Sequence, residues 1–474
     1  MNLRPHPLVM AIFSLGFASL ACQALGATEP AATPVSQPTQ APVTAVTETL
    51  PQPALEPATV GSQGVGILCV GSGTGLSCLN ENGWKVYTDE NSDLPNNYLY
   101  AGAVCPDGQI AIAHISGVTL FDGATFKQLP EIPNSSSPEG IACEADGSIW
   151  VAHFQGVSRY SNGQWTTHGS EKLASGESAN ELVYDVKVAP DGKVWVVTSR
   201  SVARFENDAW TIFQEGQGFN DSRFFNALAL DAKGRPWVAH STGVDVFENG
   251  VWTSMEKSDG SSPESLGVDS KGKVWVGTLS DGIYNFDGAA WAHHDRASES
   301  VLSNHVTSIS GDSGGRVWFG TSYGLTVFDG SQWQTFLMKN SGLGDNNIAF
   351  VVLTKDGPTL PTLEEKANGS LTGKLKRVDG TPLAEATVQI CVETLATSFT
   401  GDTPCSDQPF FLSTKTDADG VFLLENVPVG YYVIVADTGG GHWAQLVDQY
   451  GISSERTLVQ AGESHDIQTL TVEQ

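Results

Sequence analysis

Residues 146–165 read Asp-Gly-Ser-Ile-Trp-Val-Ala-His-Phe-Gln-Gly-Val-Ser-Arg-Tyr-Ser-Asn-Gly-Gln-Trp and place two tryptophans 15 residues apart. An Asp-Gly pair precedes the first tryptophan, and an Asn-Gly pair precedes the second. Such pairs favour the tight hairpin turns whose twist matches that of β-strands. The stretch therefore predicts short antiparallel strands joined by tight turns.

The same spacing recurs through the middle of the chain, and we call the two residues of each copy the first and the second marker. The marker pairs are Cys69/Trp84, Ala111/Phe126, Trp150/Trp165, Trp195/Trp210, Trp237/Trp252 and Trp318/Trp333 at 15 residues, and Trp275/Trp291 at 16. Each copy supplies four strands in about 40 residues, which is the length expected of a propeller blade. The repeat tryptophans are expected to pack between blades.

The two ends of the repeat region complement each other. The copy that begins at Val65 lacks its innermost strand, whereas the segment from Asn347 to Gly357 has the pattern of an innermost strand alone. Joining the two closes the ring and removes exposed sheet edges. The sequence thus predicts an all-β chain with a seven-bladed β-propeller over residues 63–358, closed by a C-terminal innermost strand. A linker over 359–368 and a small β-sandwich over 369–474 follow.

Composition excludes some partners. The chain has 25 Lys and Arg against 53 Asp and Glu, a formal net charge of −28. Nucleic acids and anionic lipid surfaces are recognised through basic patches, so neither is an expected partner. The acidity itself is typical of a well-solvated surface.

The N-terminal residues predict export. An apolar stretch from Leu8 to Leu20 is too short to span a bilayer and fits a signal segment over residues 1–22. Ser19-Leu20-Ala21-Cys22 resembles a lipoprotein cleavage site, which implies lipidation of Cys22; an ordinary cut after Gly26 or Ala27 is the alternative. Residues 23–62 are rich in Pro, Thr and Ala and predict an extended tether. The lipid anchor is the only membrane contact expected.

The seven cysteines fit this compartment, because six of them fall into three candidate pairs and Cys22 is left over. The candidate disulfides join Cys69 to Cys78, Cys105 to Cys143, and Cys391 to Cys405. The first would lie within one hairpin, the second between neighbouring blades and the third across a loop of the last domain. Buried free thiols are the alternative.

The C-terminal hundred residues lack the tryptophan repeat. Their Asp379-Gly380-Thr381-Pro382-Leu383, Thr416-Asp417-Ala418-Asp419-Gly420-Val421-Phe422 and Val427-Pro428-Val429-Gly430-Tyr431-Tyr432 segments resemble the carboxypeptidase-regulatory-like, prealbumin-type β-sandwich. The resemblance implies that the Asp-Gly pairs are turns and that the last segment leads into a core strand.

The repeats resemble the two-component-regulator propeller family. The pattern is visible in Leu302-Ser303-Asn304-His305-Val306-Thr307-Ser308-Ile309 followed by Val317-Trp318-Phe319-Gly320-Thr321. The repeats also resemble streptogramin-lyase propellers through Asp146-Gly147-Ser148-Ile149-Trp150. The first resemblance implies an extracytoplasmic sensor module and the second an enzyme, although the shared phrase reports blade geometry and no reaction.

One polar position recurs three residues after each first marker, and we call it the turn position. It holds Ser72, His114, His153, Thr198, His240, Thr278 and Thr321. We expect it near the face around the central channel, where His114, His153 and His240 are candidate ligand-binding residues. They would serve an acid–base role in a lyase or hydrolase, while hydrogen bonding to strand-end backbone is the stronger alternative to metal binding. No metal or other cofactor is expected.

Six further residues of the adjoining loops complete the candidate ligand-binding set: Asn97, Phe154, Arg200, Arg223, Tyr323 and Asn347. Aromatic, guanidinium and amide groups on a concave surface suit a glycan or another small polar molecule. The leading hypothesis is a non-catalytic recognition protein that binds an extracellular ligand or an envelope protein. The alternative is a propeller lyase or hydrolase that uses the three histidines.

Overall fold

A computed structural model of the chain describes residues 66–133, 138–174, 182–216, 218–219, 224–240, 242–256, 261–298, 300–354, 357–392, 403–406, 408–439, 442–446 and 456–472. The signal segment, the tether with Cys22, and Arg223 lie outside these residues. The described part is all-β, as predicted, apart from one short 3-10 helix at Ser170–Lys172.

The strands of the repeat region are, in chain order, β1 (Ile67–Ser72), β2 (Gly75–Asn80), β3 (Gly83–Tyr87), β4 (Leu99–Val104), β5 (Ile110–His114), β6 (Gly117–Phe121), β7 (Phe126–Gln128), β8 (Pro138–Cys143), β9 (Ile149–His153), β10 (Gly156–Ser161), β11 (Gln164–Gly169), β12 (Val183–Val188), β13 (Val194–Thr198), β14 (Val202–Glu206), β15 (Ala209–Glu215), β16 (Gly218–Phe219), β17 (Phe225–Leu230), β18 (Pro236–His240), β19 (Gly243–Glu248), β20 (Val251–Glu256), β21 (Pro263–Val268), β22 (Val274–Thr278), β23 (Ile283–Phe286), β24 (Trp291–His294), β25 (Val306–Gly311), β26 (Val317–Thr321), β27 (Gly324–Phe328), β28 (Trp333–Phe336) and β29 (Ile348–Thr354).

These strands form consecutive sheets of the kind found in propeller blades, and they are antiparallel except for the short parallel pair β15–β16. Sheet 1 has the order β29-β1-β2-β3, and sheets 2 to 7 are β4 to β7, β8 to β11, β12 to β16, β17 to β20, β21 to β24 and β25 to β28. The first strands contact one another in a closed order, β29, β4, β8, β12, β17, β21, β25 and back to β29. Strand β29 pairs with β1 across the repeat region, with Thr354 opposite Ile67.

The Asn-Gly turns between the third and fourth strands of sheets 3 and 5 have the backbone that their sequences demand. In the β10–β11 turn, Asn162 and Gly163 have φ values of 51° and 82°. Two consecutive residues with positive φ define the hairpin turn that follows strand twist, and Asn and Gly adopt this conformation most readily. Asn249 and Gly250 repeat this turn with φ values of 52° and 86°, so these two Asn-Gly pairs set the register that brings Trp165 opposite Tyr160 and Trp252 opposite Phe247.

The first-marker tryptophans pack between sheets, as the fixed register predicts. The ring of Trp150 in sheet 3 lies 5.4 Å from that of Phe205 in sheet 4. Trp195 in sheet 4 lies 5.3 Å from Phe247 in sheet 5. Cations also lie over these rings, with Arg316 at 5.5 Å from the Trp318 centroid. Each tryptophan thus fills the space between two sheets.

The six cysteines of the described chain are bonded in three pairs. Cys69–Cys78 joins opposed residues of β1 and β2, and Cys105–Cys143 joins the ends of β4 and β8 in neighbouring sheets. Cys391–Cys405 lies in the C-terminal region. Disulfides of this kind persist in oxidising compartments.

The C-terminal region contains eight further strands: β30 (Gly369–Arg377), β31 (Thr387–Cys391), β32 (Phe411–Lys415), β33 (Val421–Val427), β34 (Gly430–Gly439), β35 (His442–Leu446), β36 (Thr457–Val459) and β37 (Ser464–Val472). One sheet has the order β33-β30-β37, and the other has the order β32-β31-β34-β35 with β36 on β34. Leu371 and Phe422 of the first sheet share a buried core with Ile390 and Ile434 of the second. We call this pair of sheets the C-terminal domain.

The C-terminal domain packs on sheets 7 and 1. Tyr323, in the β26–β27 hairpin, belongs to the core of the C-terminal domain, and its ring stacks on Phe410 with centroids 6.2 Å apart. Arg456 donates to both carboxylate oxygens of Asp345 at 2.8 and 2.6 Å, and the Asp345 side chain is fully buried. This bidentate pair fastens the domain to the segment that leads into β29.

Candidate functional site

A cavity of about 450 Å³ is lined by the first strands of the seven sheets. Its size falls in the range of small-molecule sites. Backbone atoms and a limited number of side chains line it. A β-bulge in each first strand determines which side chains these are.

Each first strand carries a β-bulge at its second residue. In sheet 3, for example, Pro138 lies opposite His153 and Gly140 lies opposite Ala152, so that Glu139 has no opposite residue. A bulge re-aims the extra side chain and bends the strand. We call this extra residue the bulge position. It holds Tyr100, Glu139, Tyr184, Asn226, Glu264, Thr307 and Ala349.

All seven residues at the bulge position line the cavity. None of them is buried, whereas the residues on either side of them along the strand are mostly buried. The repeat therefore presents one side chain per sheet to the same space, and these seven side chains form a ring at one end of the cavity.

The turn position lies on the neighbouring second strand of each sheet, and its side chains are shielded from the cavity. None of its seven residues is more than 3% exposed, and none lines the cavity. Thr278 and Thr321 donate to the carbonyls of Gly282 and Gly324 at 2.9 and 2.8 Å, which closes the hairpin between the second and third strands. The turn position is thus part of the hairpin itself.

The three histidines at the turn position contact side chains on the third strands of their own sheets. His114 Nδ1 accepts the Ser116 amide at 3.2 Å, so Nε2 carries the proton that it donates to Thr119 Oγ1 at 2.8 Å. His153 Nε2 lies 2.8 Å from Ser158 Oγ. His240 Nε2 lies 3.4 Å from a carboxylate oxygen of Asp245, which is itself buried.

This geometry corrects the expectation that His114, His153 and His240 line the channel. Their rings are buried because each fills the space under its own hairpin and bonds a residue five positions later on the third strand. Burial lowers the pKa of His114 to about 4, and it also lowers the pKa of His153. Both rings are therefore neutral at pH 7 and buried inside separate sheets.

The other predicted residues divide into three groups. Phe154 and Arg200 are exposed at the end of the sheets that carries the bulges, and the Arg200 guanidinium lies 5.3 Å from the centre of the Phe224 ring. Tyr323 is buried under the C-terminal domain, where burial raises its pKa, so it is not open to a ligand. This corrects its placement in the candidate set.

The two asparagines belong to the connecting loops. Asn97 bonds Asp89 twice, accepting the backbone N–H at 2.9 Å and donating to the carboxylate at 2.7 Å. Asn304 and Asn346 likewise accept an amide from eight residues earlier. Asn347 is half-buried, and its backbone N–H donates to the Asp345 carboxylate at 3.0 Å. None of these asparagines lines the cavity, and Asn97 supports the loop before β4.

Large apolar side chains are exposed around the bulge ring. Ile115, Phe154 and Leu279 directly follow turn positions, and Tyr98 and Phe224 directly precede first strands. Their side chains are between 51% and 59% exposed. We call these five residues the rim, and we call the rim together with the bulge ring the mouth of the cavity. The C-terminal domain covers the adjoining hairpins of sheets 7 and 1, and the five rim residues belong to sheets 2, 3, 5 and 6.

Charged groups at the mouth are mostly paired within the chain. His305 Nε2 lies 3.0 Å from Glu264 Oε2. Asp185, next to the bulge position of sheet 4, lies 2.7 Å from Lys187 Nζ, and burial nevertheless raises the pKa of Asp185. The surrounding protein shields Glu139 from part of the solvent, which raises the pKa of Glu139 although its side chain stays partly exposed. The same shielding, together with the charge of Glu139, raises the pKa of the neighbouring Tyr100.

The bulge position was missed by sequence reasoning, although a signal for it exists. Tyr100, Glu139, Tyr184, Asn226, Glu264 and Thr307 each stand 11 residues before a first marker. The chemical types at this offset vary widely, unlike the hydroxyls and histidines of the turn position. A constant offset with variable chemistry is typical of a presented side chain, whereas constant chemistry indicates a structural bond.

No group of three or more His, Cys, Asp and Glu side chains in the described ranges is placed to hold a metal ion. No helix in the described part of the chain is long and apolar enough to cross a membrane.

Comparison with known proteins adds one sequence match and several structural likenesses. The family described as two component regulator propeller matches residues 300–323. No curated protein matches the chain. The crystal structure of virginiamycin B lyase from Staphylococcus aureus is 12% identical over 55% of this chain and 92% of that one, with a TM-score of 0.45.

Two bacterial surface proteins are similar to a larger share of the chain. The extracellular domain of a putative one component system from B. thetaiotaomicron is 16% identical over 82% of this chain and 52% of that one, with a TM-score of 0.46. PorZ, a surface component of the type-IX secretion system of Porphyromonas gingivalis, is 16% identical over 78% and 62%, with a TM-score of 0.43. The four-stranded sheets and the match at residues 300–323 support a β-propeller of the two-component-regulator type.

Proposed function

We propose that this chain is an exported, non-catalytic recognition protein that binds an extracellular ligand or an envelope partner at the mouth of the cavity. The observation that carries the proposal is the ring of seven bulge-position residues around a cavity of about 450 Å³. Bulges recur next to binding and active sites because they re-aim side chains. Exposed aromatic residues beside such a ring are suited to ligand contact.

The architecture is part of the proposal. The seven sheets would be the blades of one closed seven-bladed propeller, with β29 as the innermost strand of the blade that contains β1. The C-terminal domain would be a carboxypeptidase-regulatory-like β-sandwich. Support comes from the closed order of contacts among first strands and from the core shared by the two C-terminal sheets.

Export and lipid attachment at Cys22 complete the proposal. Three disulfides in the described residues fit an oxidising compartment. Mass analysis of the mature N-terminus tests the anchor: an acylated Cys22 supports it, and a terminus just after Gly26 or Ala27 contradicts it.

The enzymatic alternative used His114, His153 and His240. Their burial in three separate sheets leaves that alternative without an accessible acid–base group among them. Recognition is therefore the function that the arrangement of exposed and buried residues favours.

The test compares two sets of exposed apolar residues on opposite ends of the sheets. One variant carries Tyr98→Ala, Phe154→Ala and Phe224→Ala at the rim, and the control carries Val251→Ala at the far end, where the side chain is 64% exposed. Both are screened with the parent on glycan and peptide arrays, followed by surface plasmon resonance of the hits.

We expect the rim variant to bind at least about tenfold more weakly, because rigid aromatic anchors commonly dominate binding energy. The control is expected to bind like the parent. Equal binding by all three proteins, or the lack of any ligand that distinguishes them, would contradict the proposal. Circular dichroism confirms that each variant is folded.

A further inference from the structure

The carboxylates in and next to the bulge ring differ in whether a side chain of this chain pairs with them. Asp185 is held by Lys187, and Glu264 lies 3.0 Å from a nitrogen of His305. Glu139 has no hydrogen-bond or ion-pair partner among the described residues, and burial is what raises its pKa. Its carboxylate lines the cavity and is partly removed from water without compensation.

Aromatic groups stand beside this carboxylate. Tyr100 occupies the bulge position of the preceding sheet, is 36% exposed, and feels the negative charge of Glu139. Phe154 follows His153, which lies opposite the residue before Glu139, and it is 51% exposed. A carboxylate with aromatic neighbours is the arrangement that attracts an ammonium or guanidinium group, through charge and through the faces of the rings.

Among the described residues, the cations nearest to this part of the cavity are already engaged. Arg200 lies over Phe224, and Lys187 is bound to Asp185. The whole chain carries 28 more negative than positive formal charges, which raises the local concentration of cationic partners. The apolar rim would at the same time bind apolar groups that lie around the charge of such a partner.

We propose that the mouth receives a lysine or arginine side chain presented by a polypeptide partner, with the cationic group bound to Glu139 beside Tyr100. The inference rests on the proposed function, because it names the chemistry of the ligand at the same site. A cavity of about 450 Å³ accommodates one long side chain, while the rim contacts the residues that flank it.

The experiment uses the full chain and four pentapeptides that differ at one position. The peptides are acetyl-Gly-Gly-X-Gly-Gly-amide with lysine, arginine, norleucine or glutamate at X, since norleucine keeps the alkyl chain of lysine without its charge. Binding is measured by saturation-transfer NMR and isothermal titration at low and high salt. The variants are Glu139→Gln and the matched control Glu81→Gln, an exposed carboxylate in the β2–β3 turn at the far end of sheet 1.

We expect the lysine or the arginine peptide to bind the parent and the Glu81→Gln control alike, and to bind Glu139→Gln about tenfold more weakly. The norleucine and glutamate peptides should bind at least as weakly as that, and added salt should weaken only the cationic peptides. Equal binding of the norleucine and lysine peptides, or no loss in Glu139→Gln, would overturn the inference.

The outcomes separate this inference from the proposed function. A neutral glycan whose binding is lost in the rim variant would leave recognition at the mouth intact and overturn the cationic ligand. Failure of every ligand to respond to either the rim variant or Glu139→Gln would overturn both.

Discussion

The turn position and the bulge position recur once per sheet at the same end of two paired strands, yet the structure uses them in opposite ways. The turn position is rich in polar residues and entirely buried, whereas the bulge position mixes Tyr, Glu, Asn, Thr and Ala and is nowhere buried. In sheet 2, His114 lies opposite Leu99, and Tyr100 is the next residue along the strand. A displacement of one residue thus separates a structural hydrogen bond from a side chain that lines the cavity.

The physical cause is the register of antiparallel pairing. Side chains alternate between the two faces of a strand, so one extra residue moves the following side chains to the other face. The extra residue itself belongs to neither face and enters the cavity. Repetition of the bulge in all seven first strands turns a local irregularity into a ring.

The largest effect is expected when a buried pair at the turn position is broken. His240→Ala removes the ring nitrogen 3.4 Å from the Asp245 carboxylate, and both side chains are at most 2% exposed. The free energy of unfolding should fall by about 3 kcal/mol, as is typical when one partner of a buried pair is lost. Chemical denaturation measures it, with ligand binding as the second readout.

The double variant His240→Val with Asp245→Val serves as the control, because it removes both members of the pair. It should recover part of the lost stability. If His240→Ala left stability unchanged but abolished ligand binding, the assignment of the turn position to structure would be wrong.

A pH dependence of intermediate size is expected from His114. Burial lowers its pKa to about 4, so the unfolded chain binds a proton near its ordinary pKa while the folded chain does not. Stability is therefore complete above about pH 6.5 and is lost as the pH falls toward about 4. Between pH 7 and pH 5, protonation of His114 in the unfolded chain should lower the free energy of unfolding by about 2 kcal/mol.

The measurement compares the denaturation midpoint of the parent and of His114→Gln at pH 7 and pH 5. The parent should lose more stability than the variant over this interval, even though His153, His168 and His294 also have pKa values lowered by burial. Identical pH dependence in both proteins would show that His114 is accessible to protons in the folded state.

The smallest effect on stability is expected at the bulge position. Glu139→Gln replaces a partly exposed carboxylate without a partner in the described residues, so the free energy of unfolding should change by less than about 0.5 kcal/mol. The direction should be a slight stabilisation at neutral pH, because burial disfavours the charge that is removed. Thermal denaturation of the two proteins checks this, and a loss of more than 1.5 kcal/mol, on the order of a broken buried hydrogen bond, would assign Glu139 to structure.

Sequence reasoning succeeded where chemistry repeats with a fixed local cause. The Asn-Gly turns, the tryptophans between sheets and the partners of the six described cysteines all depend on spacing within one or two hairpins. It was less successful at the candidate site. His114, His153 and His240 were selected because histidine near a channel suggests chemistry, but they are buried under their own hairpins.

Tyr323 shows a second reason why local sequence does not predict which residues are exposed. By its place in the repeat it resembles exposed Phe154 and Arg200, yet the C-terminal domain covers it and its ring stacks on Phe410. Phe410 lies 87 residues further along the chain. No local pattern reports which of several equivalent hairpins a later domain will cover.

The sequence by itself determined the all-β class, the repeating sheets and the positions of the turns, because strand alternation and positive φ at Asn-Gly pairs act over a few residues. Only the tertiary structure decided that the bulge position, and not the turn position, lines the cavity. It also decided which part of the mouth stays open. Those features depend on a bulge in each first strand and on the Asp345–Arg456 contact between distant segments. Side-chain direction after a bulge and contact across a hundred residues arise from the assembled fold rather than from local sequence.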